Sequence, residues 1–590
     1  MEEIKNVEKI LVDNIIDRNQ NHFNITALEY FGTKITYKEF FKLIELYAKS
    51  FQNLGIKNGD VVTLCLAGTP DAVITFYALN KLGAVANFVN PNYFKINSKK
   101  YMDGTGSTVL FILDRFYDKL KDSISETKTN KIILSSLSSY ASVFNKFKLD
   151  KNFFKTINKN KIIKGIEYFD LDSFLVCGKN NNNILKSVPY EKNKDVGIFY
   201  TSGTTGDPKG VLVTNDGFNN MITMYDVLNG MDRVAGDRNL VVIPPMYETG
   251  ISHGINAPFA FGCTNILQPI YDKYTFANDL KKYKPNTVTA AGSHYATAIE
   301  SNLKRGDLES LRYPCTGGEA LTKEFAREIS EKLMYFGAKN PLIIGYGASE
   351  FGCMVMINQY LKNRTNESGY TMPFVEARIV DTITGKELGA NERGEVQVRT
   401  PAMMKSYYKM PEKTLEIFCV DENGKKWAKT GDYGLKNENG VYEVFGRITD
   451  SFINEKGESV YLFEYEQLIA RHPAVLECEA VAITIDNKKV PVIHLVLKKD
   501  YKNKSEEVLR EIYNLLLKEK SEYMPYCFKI RDGFNTSPIS GKRDYLSLLY
   551  ETNGFINIDN KGQIININID TNESKQLDGI AKSKKLKLNL

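Results

Sequence analysis

The chain has 590 residues, more than a single hydrophobic core usually serves, so two or more domains are expected. Its composition, 43% hydrophobic and 25% charged, is typical of globular proteins and does not favour disordered or fibrous classes. A net charge of +6, from 77 basic and 71 acidic residues, gives no concentrated field, so we expect no nucleic-acid partner.

Cysteines and apolar runs indicate the expected compartment. The 8 cysteines lack CxxC spacing and are accompanied by only 5 histidines, which favours neither a disulfide framework nor a zinc site. Residues 1–18 lack the apolar segment of a signal peptide, and no apolar run is long enough to cross a membrane. We therefore expect a cytoplasmic protein without integral membrane contact.

The first elements alternate between helix and strand. Thr36 and Glu39 form a capping-box pattern ahead of apolar residues at helical spacing, and Gly55 stands where a left-handed cap would end that helix. Residues 60–66 are typical of a short buried strand, and residues 71–82 of a second helix. This alternation predicts an α/β architecture with a largely parallel sheet.

The middle and end of the chain suggest further units. Residues 126–164 are rich in Lys, Asn and Ser, which predicts surface connections that link two lobes of one large domain. After Asp450 a shorter α/β pattern predicts a small separate domain. Its expected helices and strands lie near 462–471, 478–485, 491–498 and 505–520.

The C-terminal residues show a different pattern. In residues 555–569, isoleucines alternate with polar residues on both sides of an Asn-Lys-Gly turn at 560–562. This alternation predicts a β-hairpin.

The strongest chemical signal is a hydroxyl- and glycine-rich loop after a strand. Backbone amides freed by glycine, with several hydroxyl donors and one lysine, can surround the oxygens of a polyphosphate. Pro208 and Gly210 flank the lysine, which is not the Walker pattern, so a P-loop kinase or ATPase is disfavoured. A nucleoside triphosphate is the expected ligand. The loop residues are Thr201, Ser202, Gly203, Thr204, Thr205, Gly206 and Lys209.

Further motifs follow in order. They are Thr316-Gly317-Gly318-Glu319, Gly345-Tyr346-Gly347-Ala348-Ser349-Glu350, Thr430-Gly431-Asp432, Gly446-Arg447-Ile448-Thr449-Asp450 and Ser537-Pro538-Ile539-Ser540-Gly541-Lys542. With the loop, they resemble the adenylate-forming superfamily of acyl-CoA synthetases, peptide-synthetase adenylation domains and luciferases. The resemblance covers about residues 25 to 550 and is greatest to a stand-alone acyl-CoA synthetase.

The resemblance implies a role for each motif. The Gly-Gly-Glu segment would lie against adenine and the acyl pocket, with Thr316 and Gly317 in the pocket and Gly318 and Glu319 at the nucleotide. Tyr346 would stack on adenine, with Gly347 beside it, and Ser349 would contact the α-phosphate. Asp432 would bind both ribose hydroxyls, and Arg447 would contact the nucleotide. Lys542, Thr204 and Glu350 would be catalytic, with Glu350 as the Mg²⁺ ligand and Lys542 placed between the carboxylate and the α-phosphate. Asp450 would be the hinge.

Two departures from the family pattern affect the substrates. Residues 451–466 are one residue longer than the usual pattern beside the thiol path, so CoA and a carrier protein both remain open as acceptor. Tyr247 is followed by Glu248, where many acyl- and aryl-CoA synthetases have His and amino-acid-activating domains have Asp. Glu248 either meets a positive or hydrogen-bond-donating substrate group, or turns away towards a basic neighbour or solvent.

Together these features predict a two-lobed N-terminal adenylate-forming domain (1–449), a small mobile α+β domain (450–554) and a C-terminal extension (555–590). The expected enzyme is an ATP-dependent, AMP-forming ligase that activates a fatty or other small carboxylic acid and transfers it to a thiol, most simply CoA. The alternative is amino-acid adenylation that loads the phosphopantetheine of a separate carrier protein. A noncatalytic nucleotide binder is disfavoured because the loop, Glu350, Asp432 and Lys542 are all present. ATP, Mg²⁺ and CoA are the expected cofactors.

Overall fold

The computed structural model shows a mixed α/β protein. It describes residues 4, 7–143, 145, 162–181, 185–201, 208–269, 272–318, 321, 323–360, 363–364, 369–454, 459–485, 488–519, 523–535, 545–549, 551–559 and 563–569. Among these residues, no helix combines the length and the apolarity needed to cross a bilayer.

Helices alternate with strands along the described chain. The α-helices are Leu11–Arg18, Tyr37–Asn53, Pro70–Leu82, Pro91–Ile96, Ser98–Tyr101, Asp114–Ser125, Leu171–Lys179, Asn215–Asp226, Glu248–Ile251, Ala257–Ala260, Phe276–Tyr283, Gly292–Ile299, Lys323–Tyr335, Pro411–Ile417, Leu462–Ile469, Ser505–Glu519 and Tyr545–Leu549. A π-helix spans Ser252–Asn256, and 3₁₀ turns span Ser349–Phe351 and Lys499–Lys504.

The first large sheet has nine strands. In spatial order they are Tyr370–Thr371, Met356–Ile357, Ile343–Tyr346, Tyr313–Gly317, Thr287–Thr289, Arg238–Val241, Thr264–Leu267, Thr26–Tyr30 and Thr33–Thr36. The strands from Ile343–Tyr346 to Thr26–Tyr30 are parallel, and the outer ones are antiparallel. The carboxyl ends of the parallel strands therefore share one edge.

The second large sheet has eight strands. Their order is Ser406–Tyr407, Gly210–Thr214, Asp195–Tyr200, Val85–Phe88, Val61–Cys65, Val109–Leu113, Lys131–Ser135 and Glu167–Asp170. All pairs are parallel except those made by Gly210–Thr214. The main core takes side chains from both large sheets and from helix Pro70–Leu82, which is buried nearly all round. The predicted two-lobed α/β architecture is confirmed.

Local helix signals were accurate. Helix Tyr37–Asn53 begins with the predicted capping box of Thr36 and Glu39, and Gly55 follows its end with φ +89. The second predicted helix spans Pro70–Leu82, and Gly83 caps it in the left-handed region with φ +71. Both ends are set by residues within a few positions of the helix terminus.

A buried carboxylate lies between the first helices and the eight-stranded sheet. Asp71 has no exposed surface and accepts hydrogen bonds from the hydroxyls of Tyr47 and Ser135. Burial raises the pKa of Asp71 from its usual 3.8 to about 6, although the two hydroxyl donors lower it. Because the folded pKa lies above the unfolded one, stability due to this group is present below pH 3.8 and is lost as pH rises through about 6.

Asp71→Asn should remove this pH dependence. The free energy of unfolding of the variant, relative to wild type, is expected to rise by about 2 kcal/mol between pH 4.5 and 7, because only the wild type ionises there. Urea unfolding of both proteins at the two pH values measures the difference. A constant difference would contradict an ionisable Asp71 in the folded core.

Two further sheets follow the large ones. A five-stranded antiparallel sheet consists of Glu376–Val380, Arg393–Arg399, Phe418–Val420, Lys426–Lys436 and Tyr442–Arg447. The C-terminal sheet orders Val475–Ile485, Lys488–Leu497, Cys527–Arg531, Phe555–Ile558 and Ile564–Ile567. Two-stranded ribbons pair Ser451–Ile453 with Ser459–Tyr461, and Gln359–Tyr360 with Asn363–Arg364.

The predicted C-terminal hairpin is confirmed. Its strands, Phe555–Ile558 and Ile564–Ile567, pair antiparallel, and Ile556 is paired with Phe528 of the neighbouring strand. Just before the hairpin, the Glu551 carboxylate lies 2.7 Å from Lys529 Nζ. The hairpin is thus a continuation of the C-terminal sheet.

Candidate active site

Three of the predicted motifs begin where parallel strands end. Tyr313–Gly317 ends at the Gly-Gly-Glu segment and Ile343–Tyr346 at the Tyr-Gly segment, both in the nine-stranded sheet, whereas Asp195–Tyr200 of the eight-stranded sheet ends at the hydroxyl-rich loop. Ligands of open α/β sheets bind at the carboxyl edge of the strands. Each motif therefore lies at the sheet edge where a ligand is expected.

The start and end of the hydroxyl-rich loop are tied together. The Thr201 backbone N–H donates to the Lys209 carbonyl over 3.0 Å. The Thr201 hydroxyl is buried and has no hydrogen-bond partner among the residues that the structure describes. A buried donor without a partner is costly, and a phosphate oxygen is an acceptor that it could bind. Between Thr201 and Lys209, the structure does not describe the predicted loop residues Ser202, Gly203, Thr204, Thr205 and Gly206. The predicted residues Glu319 and Lys542 also lie outside the described residues.

Glycines at this edge allow backbones to come close. A Cβ atom at Gly317 would lie 2.6 Å from the Gly345 carbonyl oxygen on the neighbouring strand. Gly318 has φ +80, and a Cβ atom at Gly347 would lie 1.9 Å from the Cys353 carbonyl oxygen. Side chains are excluded from these positions, so backbone lines this part of the edge. Thr316, on the same strand as Gly317, is buried.

Tyr346, Asp432 and Arg447 meet although they come from three motifs. The Tyr346 hydroxyl donates to Asp432 Oδ2 over 2.6 Å, and Arg447 Nε lies 3.1 Å from Asp432 Oδ1. Arg447 also donates to the Thr430 carbonyl over 2.8 Å. Burial raises the pKa of the Asp432 carboxyl, against the lowering effect of Arg447 and Tyr346. Each carboxylate oxygen keeps a further lone pair, so two hydroxyl donors can still bind.

Glu350 stands in the 3₁₀ turn after strand Ile343–Tyr346. Its Oε1 accepts a 2.7 Å hydrogen bond from the Tyr407 hydroxyl, and its carbonyl accepts one from the Met404 N–H. Ser349 lies in the same turn. Within the described chain, no group of three or more His, Cys, Asp and Glu side chains could hold a metal ion. One carboxylate suits Mg²⁺ that is otherwise bound by phosphate and water.

Glu248 is a buried carboxylate near this turn. It is 2% exposed, and its Oε1 accepts from the Ser252 hydroxyl. Its Oε2 is buried and finds no hydrogen-bond partner within the described part of the chain. Burial, with a smaller contribution from Glu350, raises the pKa of Glu248 to about 8, although Ser252 lowers it. Of the alternatives for Glu248, exposure to solvent is therefore wrong, and no basic side chain of the described residues contributes to its electrostatics.

Two further predicted residues, Tyr247 and Asp450, also make defined contacts. The Tyr247 hydroxyl accepts from Asn90 Nδ2 over 3.2 Å, and burial raises its pKa. Asp450 follows strand Tyr442–Arg447, and its N–H donates to the Arg447 carbonyl over 3.0 Å. Burial, with Glu479 nearby, raises the pKa of Asp450 to about 6.

Comparison with known proteins identifies the family of the chain. A sequence model of the AMP-binding enzyme family matches residues 16–408. The chain belongs to the AMP-binding enzyme family. It is 27% identical over 498 residues to the long-chain-fatty-acid–CoA ligase of Bacillus subtilis (strain 168), covering 82% of this chain and 84% of that protein. It is 26% identical over 462 residues to 4-coumarate–CoA ligase 4 of Arabidopsis thaliana, covering 77% and 75% of the two chains.

Solved structures have the same fold as this AMP-binding enzyme. The anthranilate CoA ligase AuaEII in complex with anthranoyl-AMP superposes with a TM-score of 0.75 at 21% identity, covering 92% of this chain and 96% of the other. ATP-bound MatB from Rhodopseudomonas palustris gives a TM-score of 0.74 at 21% identity, covering 91% and 98%.

Sequence reasoning missed two residues of the site of this AMP-binding enzyme. Ser252 lies four positions after Glu248, and that helical spacing could have indicated the contact. Tyr407 belongs to no quoted motif, and its contact with Glu350 spans 57 residues, so no local signal was present.

Proposed function

We propose that this AMP-binding enzyme is an ATP-dependent, AMP-forming acid–CoA ligase. The observation that carries the proposal is the meeting of Tyr346, Asp432 and Arg447. Glu350 follows four residues after Tyr346, and its contact with Tyr407 connects it to the strand pair that leads out of the hydroxyl-rich loop. This set offers an aromatic ring, an acceptor for two hydroxyls, a cation and a metal-binding carboxylate. A nucleoside triphosphate with Mg²⁺ needs all four.

The reaction has two half-reactions. In the first, a carboxylate oxygen of the acid attacks the α-phosphorus of ATP, and the bond to pyrophosphate breaks to leave acyl-AMP. In the second, the CoA sulfur, after loss of its proton, attacks the acyl carbon, and the bond to AMP breaks. Mg²⁺, when bound, neutralises phosphate charge.

In this scheme the side chains of the protein orient the substrates and stabilise the charge that develops. We assign Asp432 to the ribose, Arg447 and Ser349 to the phosphate end, Glu350 to the metal, and Lys542 to the charge that develops between carboxylate and α-phosphate. Positioning and electrostatics then supply most of the catalysis.

The acid we propose is a fatty acid or another small carboxylic acid. Two relatives named above are CoA ligases for a long-chain fatty acid and for 4-coumarate. A second candidate is an acid bearing an amine or hydroxyl group, with a carrier-protein phosphopantetheine as an alternative acceptor. It is favoured by Glu248 Oε2, which has no partner among the described side chains and backbone groups.

The test is ATP–pyrophosphate exchange with fatty, aromatic and amino acids, followed by CoA as acceptor. We expect exchange with at least one acid and release of its CoA thioester. Exchange without any CoA product would assign the carrier-protein alternative, and the absence of exchange with every acid would contradict ligase function.

Glu248→Gln should show whether this carboxylate selects the substrate. If it binds an amine or hydroxyl group, that donor favours the ionised form of Glu248 against its raised pKa. Turnover of such an acid by the variant should then fall about tenfold or more, because a charge-assisted hydrogen bond is lost. A plain fatty acid of equal length is the internal control and should change little. Equal small changes for both acids would show that Glu248 does not select the substrate.

A further inference from the structure

Tyr407 lies between two parts of the site that belong to different sheets. Its strand, Ser406–Tyr407, pairs with Gly210–Thr214, which leads out of the hydroxyl-rich loop, and Tyr407 is opposite Val211. The Tyr407 N–H donates to the Thr414 hydroxyl over 3.0 Å, and its side chain is buried. Its backbone is therefore fixed to the eight-stranded sheet, next to the end of the loop.

The Tyr407 side chain reaches across to the nine-stranded sheet. Its hydroxyl donates to Glu350 Oε1 over 2.7 Å. Its ring lies under the loop lysine, with Lys209 Nζ 4.6 Å from the ring centroid. One phenol thus contacts both the carboxylate of one motif and the ammonium of another.

These contacts have separate physical effects. The hydroxyl occupies Glu350 Oε1 and leaves Oε2 to a cation, which restricts the carboxylate to one orientation. The ring face attracts the Lys209 ammonium and keeps it from pairing directly with Glu350, a contact that would neutralise both charges.

We propose that Tyr407 is a positioning residue for the magnesium–triphosphate end of the site, where its hydroxyl orients Glu350 and its ring separates Lys209 from Glu350. This inference rests on the proposed function, because it needs MgATP as ligand. Neither the sequence motifs nor the family comparison assigns Tyr407 a role.

The neighbouring tyrosine provides a matched control. The Tyr408 hydroxyl donates to the Thr105 carbonyl over 3.2 Å and does not contact Glu350. Tyr407→Phe and Tyr408→Phe therefore each remove one hydroxyl, at adjacent positions. Only Tyr407→Phe removes a hydrogen bond to the Glu350 carboxylate.

The experiment measures binding of α,β-methylene-ATP by thermal stabilisation, with and without Mg²⁺. In Tyr407→Phe, the Mg²⁺ concentration for half-maximal stabilisation should rise about tenfold, since a hydrogen bond to a charged group is lost. Metal-free nucleotide binding should be unchanged, because the ring remains. Tyr408→Phe should match wild type in both measurements. A Tyr407→Phe protein with wild-type Mg²⁺ dependence, or with equal losses in both measurements, would overturn the proposal.

Two further variants separate the ring from the hydroxyl. Tyr407→Leu should also weaken metal-free nucleotide binding, because Lys209 loses the ring. In a Glu350→Gln background, Tyr407→Phe should cause no further change in Mg²⁺ dependence, and a further tenfold change would contradict the role assigned to the hydroxyl. If wild type shows no response to the nucleotide, the proposed function fails and this inference fails with it. A wild-type response that Tyr407→Phe does not alter refutes this inference alone.

Discussion

Lys542→Ala is expected to slow acyl-adenylate formation by about 10²- to 10³-fold, the usual cost of removing one donor to a developing charge. Thioester formation from supplied acyl-AMP should remain within a few-fold of wild type, because the lysine is assigned only to the first half-reaction. Pyrophosphate exchange measures the first step, and CoA thioester release from synthetic acyl-AMP measures the second.

The control for Lys542→Ala is the same substitution at an exposed lysine, Lys518. Lys518 is exposed near the end of helix Ser505–Glu519, so Lys518→Ala should leave both steps unchanged. Equal losses in the two steps for Lys542→Ala would show that this residue does not serve adenylate formation specifically.

Asp450→Pro should impair the second half-reaction at least tenfold more than the first, because proline fixes φ at the assigned hinge. The substitution also removes the N–H that donates to the Arg447 carbonyl. Asp450→Asn keeps that N–H and the freedom of φ, so it separates the backbone effect from loss of the carboxylate. Both half-reactions are measured for both variants. Comparable losses in the two steps for Asp450→Pro would argue against a hinge.

Features set by neighbouring residues could be predicted from the sequence. The capping box at Thr36, the glycine caps and the C-terminal hairpin all depend on residues a few positions apart. The five-stranded antiparallel sheet was not predicted. Its strands Arg393–Arg399 and Lys426–Lys436 pair across a long separation, and neither carries a turn signal that specifies the partner.

In the site, too, residues within a motif could be predicted, whereas contacts between distant residues could not. The motifs identified which residues to examine, but the contact of Tyr346 with Asp432 spans 86 residues and depends on how two sheets pack. The sequence left the surroundings of Glu248 open between a substrate contact and exposure, because a Glu is usually exposed. In the structure Glu248 and all five residues of the π-helix Ser252–Asn256 are buried.

The C-terminal hairpin determines where this protein can be divided for exchange of small domains between relatives. If residues from 555 onward were left out of the exchanged segment, strand Cys527–Arg531 would lose its neighbour Phe555–Ile558. The backbone donors and acceptors of Cys527–Arg531 would then lie at an open sheet edge. The buried Cys527 and Phe528 side chains would lose part of their cover. A hybrid that carries the chain through residue 569, including the buried Ile569, keeps Cys527–Arg531 paired with Phe555–Ile558, and Ile564–Ile567 is then the outer strand of the described sheet.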